Sequence, residues 1–536
     1  MASEVLKKKA LQAQIIFDDL TKTFGIESIP TTFIADGKRC QQFKKACNEN
    51  NPFPPPLNIT LRKKRVPAVD LLFEDEKVLQ TPAIAAVLAA CSSVATEIGR
   101  LRGDDVSGAE TYCDIAFAGL QAIRLYMANH KGLAFTKSRV ISAVMVNNAF
   151  NGSFFKYKSK DGRNVSFHVY YQNQLDKLAA ALPYSKPGTK YNMLSMKKDK
   201  KEMADVVGRY DALELEKIAF ECGASGCMIR SREEWENTEV GKAVVAMPLI
   251  RQVKESETGL PAWGKPDSKG PLSGIKVLDL THIIAGPACS RILAEYGADV
   301  LLVRRGKYTQ QEQAMLEFDG WAGKNSIQLD FNIPEQLARA KELIKEADII
   351  TYSYQNGSLD KFGLSEAEIR ALNPNVIYSN LMCFSDTVWK DRPGWAPLAE
   401  DITGLSVRNG SLENPVNLNG VPLDYFPGFI LALGTLLTVA KKLKEGGGYT
   451  VTTSLTRGAQ YLHECTDLCE NYSGGEFKSR VWDNGYNGVW ETMQQNIEGC
   501  AVGMAGFPSP ATVNTVYPFN PENQVFTDGN TGWKTK

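Results

Sequence analysis

The second half of the chain alternates short β-branched runs with segments of helical period, and this alternation most constrains its fold. Helix-period segments such as "PEQLARAKELIKEA" separate the β-branched runs. Strands joined by helices in this way form a parallel sheet covered on both faces. We therefore predict a doubly wound, Rossmann-like α/β domain over residues 275–470. Its strand-like runs are "IKVLDL" (275–280), "DVLLV" (299–303), "DIITYS" (348–353) and "NVIYSNL" (375–381).

Ligands of such sheets bind beyond the carboxyl ends of the strands. The segment "THIIAGP" (281–287) follows the first predicted strand, and "RRGKYT" (304–309) follows the second. We expect both near a pocket. Neither has the GxGxxG pattern of a dinucleotide-binding loop, so a dinucleotide ligand is disfavoured.

Composition shifts divide the rest of the chain. The segment 252–274 is rich in Gly, Pro, Ser and charge and is predicted to be a linker. The prolines of "NENNPFPPPLN" end a helical N-terminal segment, residues 1–58. Residues 59–251 form a separate predicted unit, and residues 471–536 have too little periodicity to predict a structure.

A weak internal repeat also relates the two halves. An apolar helix, a basic turn and a strand-like piece follow each other from residue 84 and again from residue 426. Two explanations stay open. One is a common order of helix, turn and strand, and the other is the duplication or permutation of one fold unit.

The charge balance limits the classes of partner. The chain has 61 Lys and Arg against 61 Asp and Glu, so no net charge attracts nucleic acid or an anionic membrane. Its longest apolar runs fall short of the roughly 20 residues of a membrane span and are predicted to be buried helices. The N-terminus has the pattern of an amphipathic helix and not of a secretory signal. We expect a cytoplasmic protein whose partners are small molecules.

The cysteines predict neither a disulfide framework nor a metal site. There are eleven, an odd number, without paired spacing. His463, Cys465 and Cys469 have loosely metal-like spacing, but no second pair of ligands follows at a matching interval. We interpret them as helix-packing residues and predict no bound metal.

The segment "LSGIKVLDLTHIIAGPACSRILAEYGADVLLV" resembles the opening strand, turn and helix of the class III CoA-transferases, the CaiB/BaiF family. The motifs "GKNSIQLD", "GSLDKFGLSEAEIRALNPNVIYSNL" and "GWAPLAEDITGL" follow in that family's order. Two earlier segments, "DGRNVSFHVYYQNQLDKLAAAL" and "CGASGCMIRSREEWENTEVGKAVVAMPL", resemble its smaller α+β domain. The resemblance implies that this domain is N-terminal here and that both halves build one site. Family members interlock as dimers, so a homodimer is one expectation, and an equivalent assembly within one chain is the other.

The resemblance also implies that a catalytic group has been lost. The family forms an anhydride on an aspartate, or moves a proton with its help, and the matching position here is Ala396. A methyl group can do neither. Asp401, five residues on, is about 140° around a helix from that position. Other family positions also differ, with Arg304 in place of a glutamate and His282 in place of an arginine.

Three functions remain open. The favoured hypothesis is a repurposed enzyme that cyclises or isomerises a hydrophobic natural-product intermediate without CoA or covalent catalysis, for example by a Diels-Alder reaction or an epimerisation. The first alternative is a CoA-transferase or acyl-CoA racemase with a relocated carboxylate, Asp401 or Glu400, which would bind CoA. The second is an inactive binding scaffold.

The candidate catalytic residues are few because the chain has four histidines. His282, at the ligand-facing turn, is the first choice for a hydrogen-bond donor or base. The others are His168, Glu400 and Asp401. Substrate-binding candidates are an apolar wall of Trp395, Tyr170 and Tyr171, and the cations Arg304 and Lys324 for a substrate carboxylate.

Overall fold

The structure is a computed structural model. It describes residues 2–35, 59–61, 64–66, 75–122, 156–169, 172–183, 196–305, 318–472, 511–517, 520, 523, 527–528 and 532–533. The helices are α1 (Ala2–Phe24), α2 (Gln80–Leu101), α3 (Ile115–Gln121), α4 (Gln172–Ala181), α5 (Met196–Val207), α6 (Ala212–Glu221), α7 (Arg232–Glu236), α8 (Glu239–Ala246), α9 (Ala285–Glu295), α10 (Pro334–Glu346), α11 (Glu366–Leu372), α12 (Ala396–Ile402), α13 (Leu405–Asn409), α14 (Pro422–Glu445) and α15 (Leu455–Glu470). The strands are β1 (Thr31–Ile34), β2 (Ile59–Leu61), β3 (Lys64–Val66), β4 (Thr111–Asp114), β5 (Lys156–Lys158), β6 (Asn164–Phe167), β7 (Gly226–Met228), β8 (Arg251–Ser256), β9 (Lys276–Leu280), β10 (Asp299–Arg305), β11 (Asn325–Leu329), β12 (Ile349–Tyr352), β13 (Ile377–Met382), β14 (Gly448–Ser454), β15 (Thr512–Asn514) and β16 (Thr527–Asp528).

An eight-stranded sheet dominates the fold and confirms the predicted α/β class. Its strand order is β16-β11-β10-β9-β12-β13-β14-β8, and only β8 pairs antiparallel. The order runs outward in both directions from β9, as expected of a doubly wound sheet. The carboxyl ends of β9, β12 and β13 therefore lie side by side.

A smaller α+β unit precedes this sheet in sequence, as predicted. Strands β5, β6 and β7 form an antiparallel sheet. Helices α4, α5 and α6 pack on it around a core of their own, which extends from Tyr157 to Met228. This core spans fewer residues than the predicted unit of residues 59–251.

The predicted boundary at residue 252 does not separate two cores. One apolar cluster contains Leu6 from α1, Ile84 from α2 and Val277 from β9. Residues 252–256, predicted to be linker, lie in the edge strand β8 instead. The polar composition of this segment fits an edge strand, because such a strand has one side open to solvent.

Two long apolar helices, α2 and α14, pack against each other at the centre of the shared core. Both have the length and hydropathy of a membrane span, but 94% and 89% of their most apolar windows are buried inside the protein. From the sequence, the apolar runs were predicted to be too short for a span. The helices are longer, 22 and 24 residues, because flanking residues extend both runs.

The internal repeat has a structural counterpart. The order α2, β4, α3 in the first half matches α14, β14, α15 in the second. Strand β4 lies between parallel β1 and antiparallel β15, just as β14 lies between parallel β13 and antiparallel β8. Matching order and matching strand pairing support the interpretation as two copies of one unit. Strands β15 and β16 come from the C-terminal segment for which no structure was predicted.

We expect Ile84→Ala to destabilise the large sheet as well as the N-terminal helices. Ile84 is fully buried in the shared core, and removing such a side chain costs about 2–5 kcal/mol. Calorimetry should show the loss in the transition that carries most of the unfolding enthalpy. The exposed Leu260→Ala is the control. If Ile84→Ala lowered the midpoint temperature of only a minor, separate transition, that result would contradict the interpretation as one shared core.

Candidate active site

A cavity of about 700 Å³ lies at the carboxyl ends of β9, β12 and β13. Three loops that follow these strands form most of its wall, and the first turns of α12, α14 and α15 and helix α4 of the smaller unit complete it. This position agrees with the rule for ligands of doubly wound sheets. Its lining residues include His282, Tyr354, Arg392, Trp395, Ala396 and Asp424.

The turn after β9 presents His282 to the cavity. Ile283 has φ 66, a left-handed conformation that is rare for a β-branched residue and typical of strained functional turns. The backbone N–H of His282 donates to Ser353 Oγ at 3.2 Å. The His282 ring stacks on Tyr354, with ring centroids 4.1 Å apart and planes 5° from parallel. The imidazole is thus held against one wall of the cavity.

A buried ion pair anchors this turn from below. Lys324 and Asp279 are both fully buried, with Nζ and Oδ2 2.7 Å apart. Lys324 Nζ also donates to Pro287 O and Ser290 Oγ, so its three donors are used. Burial alone would raise the pKa of Asp279, but Lys324 and the hydrogen bonds lower it. Lys324, predicted to bind a substrate carboxylate, binds Asp279 instead.

Helix α12 begins at the cavity. Its first residue occupies the position at which the resemblance places the family's aspartate. Ala396 is its first residue and is 3% exposed, and Trp395 directly precedes it. Both residues line the cavity. The site therefore has a methyl group where the resemblance leads us to look for a nucleophile.

Asp424 provides a carboxyl group that the sequence analysis missed. It lies in the first turn of α14 and lines the same cavity as Ala396 and His282. Burial, and next the charge of Glu400, raise the pKa of Asp424 to about 8. Asp424 is therefore mostly protonated at neutral pH and can donate a hydrogen bond. An acid at the start of the long apolar run "YFPGFILALGTLLTVA" was the signal that could have identified it.

The two predicted acids of α12 do not line the cavity. Glu400 is 3% exposed, and its Oε2 accepts hydrogen bonds from Asn417 Nδ2 at 2.8 Å and from the Leu418 N–H at 3.0 Å. Burial raises the pKa of Glu400 to about 7 against these hydrogen bonds. Glu400 thus lies behind the site, next to the chain that leads into α14.

Asp401 faces the smaller unit instead. Its Oδ1 is 2.9 Å from Lys156 Nζ, and its Oδ2 is 3.4 Å from His168 Nε2. Burial by itself would raise the pKa of Asp401, but Lys156 and His168 bring it well below its usual value. Asp401 and His168, both predicted to be catalytic, are brought together, but outside the lining of the cavity.

The remaining substrate-binding predictions have separate outcomes. Arg304 lies 5.4 Å from the ring centroid of Trp321 and is not among the lining residues. Tyr170 and Tyr171 lie outside the described residues. Of the predicted set, the structure places His282 and Trp395 at the cavity.

Two cations line the described part of the cavity. Lys390 is exposed at its edge. Arg392 is 4% exposed, donates to the Gly226 carbonyl oxygen at 2.7 Å and lies 4.0 Å from the ring centroid of Trp389. Because Arg392 is engaged inside the fold, one exposed lysine is left among these lining residues to attract phosphate groups.

The sequence profile named "CoA-transferase family III" matches residues 272–492. This region belongs to CoA-transferase family III. It includes most of the large sheet and all of helices α12 and α14. A "CAIB/BAIF family protein from Brucella suis" is a solved structure with 24% identity and a TM-score of 0.34 that covers 41% of this chain and 62% of its own.

Fungal proteins are among the relatives of this chain. An "Acyl-CoA transferase" of Gibberella moniliformis is 35% identical over 267 residues, 47% of this chain and 46% of that protein. The "Acetyl-coenzyme A transferase nodX" of Hypoxylon pulicicidum is 27% identical over 347 residues, 60% of this chain and 58% of that protein. The chain spans about half the length of the curated relatives it matches.

We expect Lys156→Met to destabilise the protein by about 3 kcal/mol at pH 7, because it leaves the Asp401 carboxylate buried with only His168 beside it. Urea denaturation measures the loss. Adding Asp401→Asn should recover much of it, since no buried charge remains. Equal stability of the two variants would contradict this account.

The ion pair between Lys156 and Asp401 also makes the stability of the protein depend on pH. The folded pKa of Asp401 is depressed, so its contribution to stability is present above the unfolded value of about 3.9 and is lost as the pH falls below it. The double variant should therefore lose less stability than the wild type between about pH 4 and pH 2.

Proposed function

We propose that this family III chain isomerises or cyclises a largely apolar natural-product intermediate by proton transfer. In this proposal Asp424 donates a hydrogen bond to a substrate carbonyl, and His282 moves the proton. No acyl group becomes bonded to the protein, and CoA is not required. The observation that carries the proposal is that one cavity is lined both by the methyl group of Ala396 and by the carboxyl group of Asp424.

The carboxyl of Asp424 fits the role of a donor. A carboxylic acid that stays neutral at pH 7 can polarise a carbonyl oxygen and stabilise the negative charge that develops there. The same protonation state makes it a weak nucleophile, because attack on a thioester needs the carboxylate. The environment of Asp424 therefore favours acid-base chemistry over anhydride formation.

His282 fits the role of the group that moves the proton. The stacking on Tyr354 and the strained turn at Ile283 hold its ring at the cavity that Asp424 also lines. An imidazole can remove a proton from the carbon next to a polarised carbonyl and return it to another carbon. The proton count of the substrate is then unchanged, which is what an isomerisation requires.

The apolar part of the wall indicates the substrate class. Trp395 and Tyr354 contribute aromatic surface, and Leu381, Met382 and Leu455 contribute aliphatic surface. A cavity of about 700 Å³ is in the range of small-molecule sites. Among the described lining residues, one exposed lysine is available to a phosphate group, and this supports a substrate without a nucleotide.

The second candidate is an acyl-CoA transferase in which Asp424 replaces the missing aspartate. The named fungal relatives favour it. The two candidates differ in whether an acyl group becomes bonded to the protein. In a third case, an inactive scaffold, ligands would bind to the cavity without being converted.

We expect Asp424→Asn to slow the shift of a β,γ-unsaturated cyclic ketone, used as a probe, to its conjugated isomer by about 100-fold or more, since the variant loses the acidic proton. Ultraviolet absorbance of the conjugated ketone measures the rate. The wild-type rate should fall as the pH rises through about 8, where Asp424 ionises.

Asp348→Asn is the matched control. Asp348 is another acid whose pKa burial raises, but it directly precedes β12 at the opposite, amino end of the sheet. Its substitution should change the rate by no more than a few-fold. An Asp424→Asn enzyme as fast as the wild type would contradict the proposed role.

A further inference from the structure

Several of the side chains that line the cavity end in a carboxamide, and their hydrogen bonding differs. Gln355 and Asn356 are exposed and are bonded to Asp391, to its carbonyl oxygen at 2.7 Å and to its Oδ1 at 2.6 Å. Gln174 and Asn380 are half-buried, yet the side-chain oxygen of each is buried and accepts no hydrogen bond from the described residues. This is the reverse of the usual order, because buried polar groups are normally paired.

Asn380 lies in the row of side chains that ends β9 and β12. The strand register places it between Tyr352 of β12 and Thr452 of β14, and Leu280 of β9 is beyond Tyr352. Leu280 and Tyr352 belong to an apolar cluster. The Tyr352 hydroxyl donates to the Gln355 carbonyl oxygen at 3.2 Å. The amide of Asn380 thus has an apolar neighbour in the sheet and forms part of the cavity surface.

An amide in such a place costs stability unless it is hydrogen-bonded, whereas a leucine of similar shape would not. Asn373, which precedes the same strand β13, shows the opposite case. Its Nδ2 donates to the carbonyl oxygens of Ile344 and Ala347 at 2.8 and 2.7 Å. The described part of the fold therefore uses the amide of Asn373 and makes no such use of the amide of Asn380.

The chemistry of the amide indicates which ligand group it binds. A half-turn about the Cβ–Cγ bond exchanges the oxygen and nitrogen ends, and at Asn380 it breaks no hydrogen bond to the described residues. Asn380 can thus present its unpaired oxygen to the cavity, where the matching group is a hydrogen-bond donor. A hydroxyl group is a donor without charge, which fits a neutral amide on a wall of aromatic and aliphatic side chains.

We infer that Asn380 is a specificity-determining residue that accepts a hydrogen bond from a hydroxyl group of the ligand, so that the cavity prefers hydroxylated apolar molecules. Gln174 supports the same class of ligand from another wall, since its unpaired Oε1 belongs to α4. The use of this contact in isomerising a hydroxylated ketone rests on the proposed function. The contact itself does not, because it can be measured without turnover.

The first experiment separates this role from a structural one. We expect calorimetry to show that Asn380→Leu unfolds at the temperature of the wild type or above it, because no hydrogen bond to the described residues is lost. Asn373→Leu is the matched comparison and should unfold several degrees lower, since two carbonyl oxygens lose their donor. An unfolding temperature of Asn380→Leu that is lowered as far as that of Asn373→Leu would overturn the inference.

The second experiment measures the hydrogen bond by NMR with cyclohexanol and cyclohexanone, two probes of similar size of which only the alcohol has a donor. In full-length protein labelled with nitrogen-15 at its asparagine side chains, the Asn380 signal is the one that Asn380→Leu removes. We expect cyclohexanol to shift this signal. Titrations that follow the ligand signals should show that the wild type binds cyclohexanol about 3- to 10-fold more tightly than cyclohexanone, the range of one neutral hydrogen bond. Asn380→Leu should lose this preference.

Asn237→Leu is the control, because Asn237 is exposed at the end of α7 and is not among the lining residues. It should keep the preference for cyclohexanol. A wild type that binds the two probes equally, or an Asn380→Leu protein that still prefers the alcohol, would overturn the inference. If the preference depends on Asn380 but Asp424→Asn leaves turnover of the ketone probe intact, the hydroxyl contact is correct and the proposed function is wrong.

Discussion

The fully buried ion pair between Lys324 and Asp279 is the interaction on which the cavity depends. Asp279 accepts hydrogen bonds from Thr281 on the turn after β9, from Ser290 on α9 and from Thr351 on β12. A buried pair of this kind adds little net stability, but losing one partner leaves an uncompensated charge. The pair ties the strained turn that presents His282 to two other elements, α9 and β12.

The site also shows how environment, and not residue type, assigns roles to carboxyl groups. Asp401 is ionised because Lys156 and His168 pair with it. Glu400 and Asp424 lack such a cation among the described residues, so burial raises the pKa of both. Groups whose environments push their pKa values apart are those that divide acid and base work in an enzyme. The cavity that has a methyl group at Ala396 is thus also lined by two titratable groups, Asp424 and His282.

The sequence predicts the sheet and the ligand-binding end well, because local periodicity encodes strands and helices and parallel topology then determines which ends meet. It also identifies His282 and Trp395, which lie next to recognisable motifs. It does not predict the partners of Lys324 or Asp401, which come from positions 45 and 245 residues away along the chain. Asp424 was not predicted because it is distant from Ala396 in sequence and reaches the same cavity only in the fold. The predicted boundary at residue 252 was wrong for a related reason. The packing of α2 against α14 joins residues on both sides of that boundary, and such long-range contacts leave no local pattern in the sequence.

Mass spectrometry of trapped acyl adducts tests most directly the central claim that this cavity works without an acyl-enzyme. The wild-type protein would be incubated with succinyl-CoA and acetyl-CoA as probes, treated with hydroxylamine and mapped over the peptides that contain Glu400, Asp401 and Asp424. We expect unmodified carboxyl groups at all three positions. A hydroxamate at any of them would contradict it and show that the transferase chemistry persists on a relocated carboxylate.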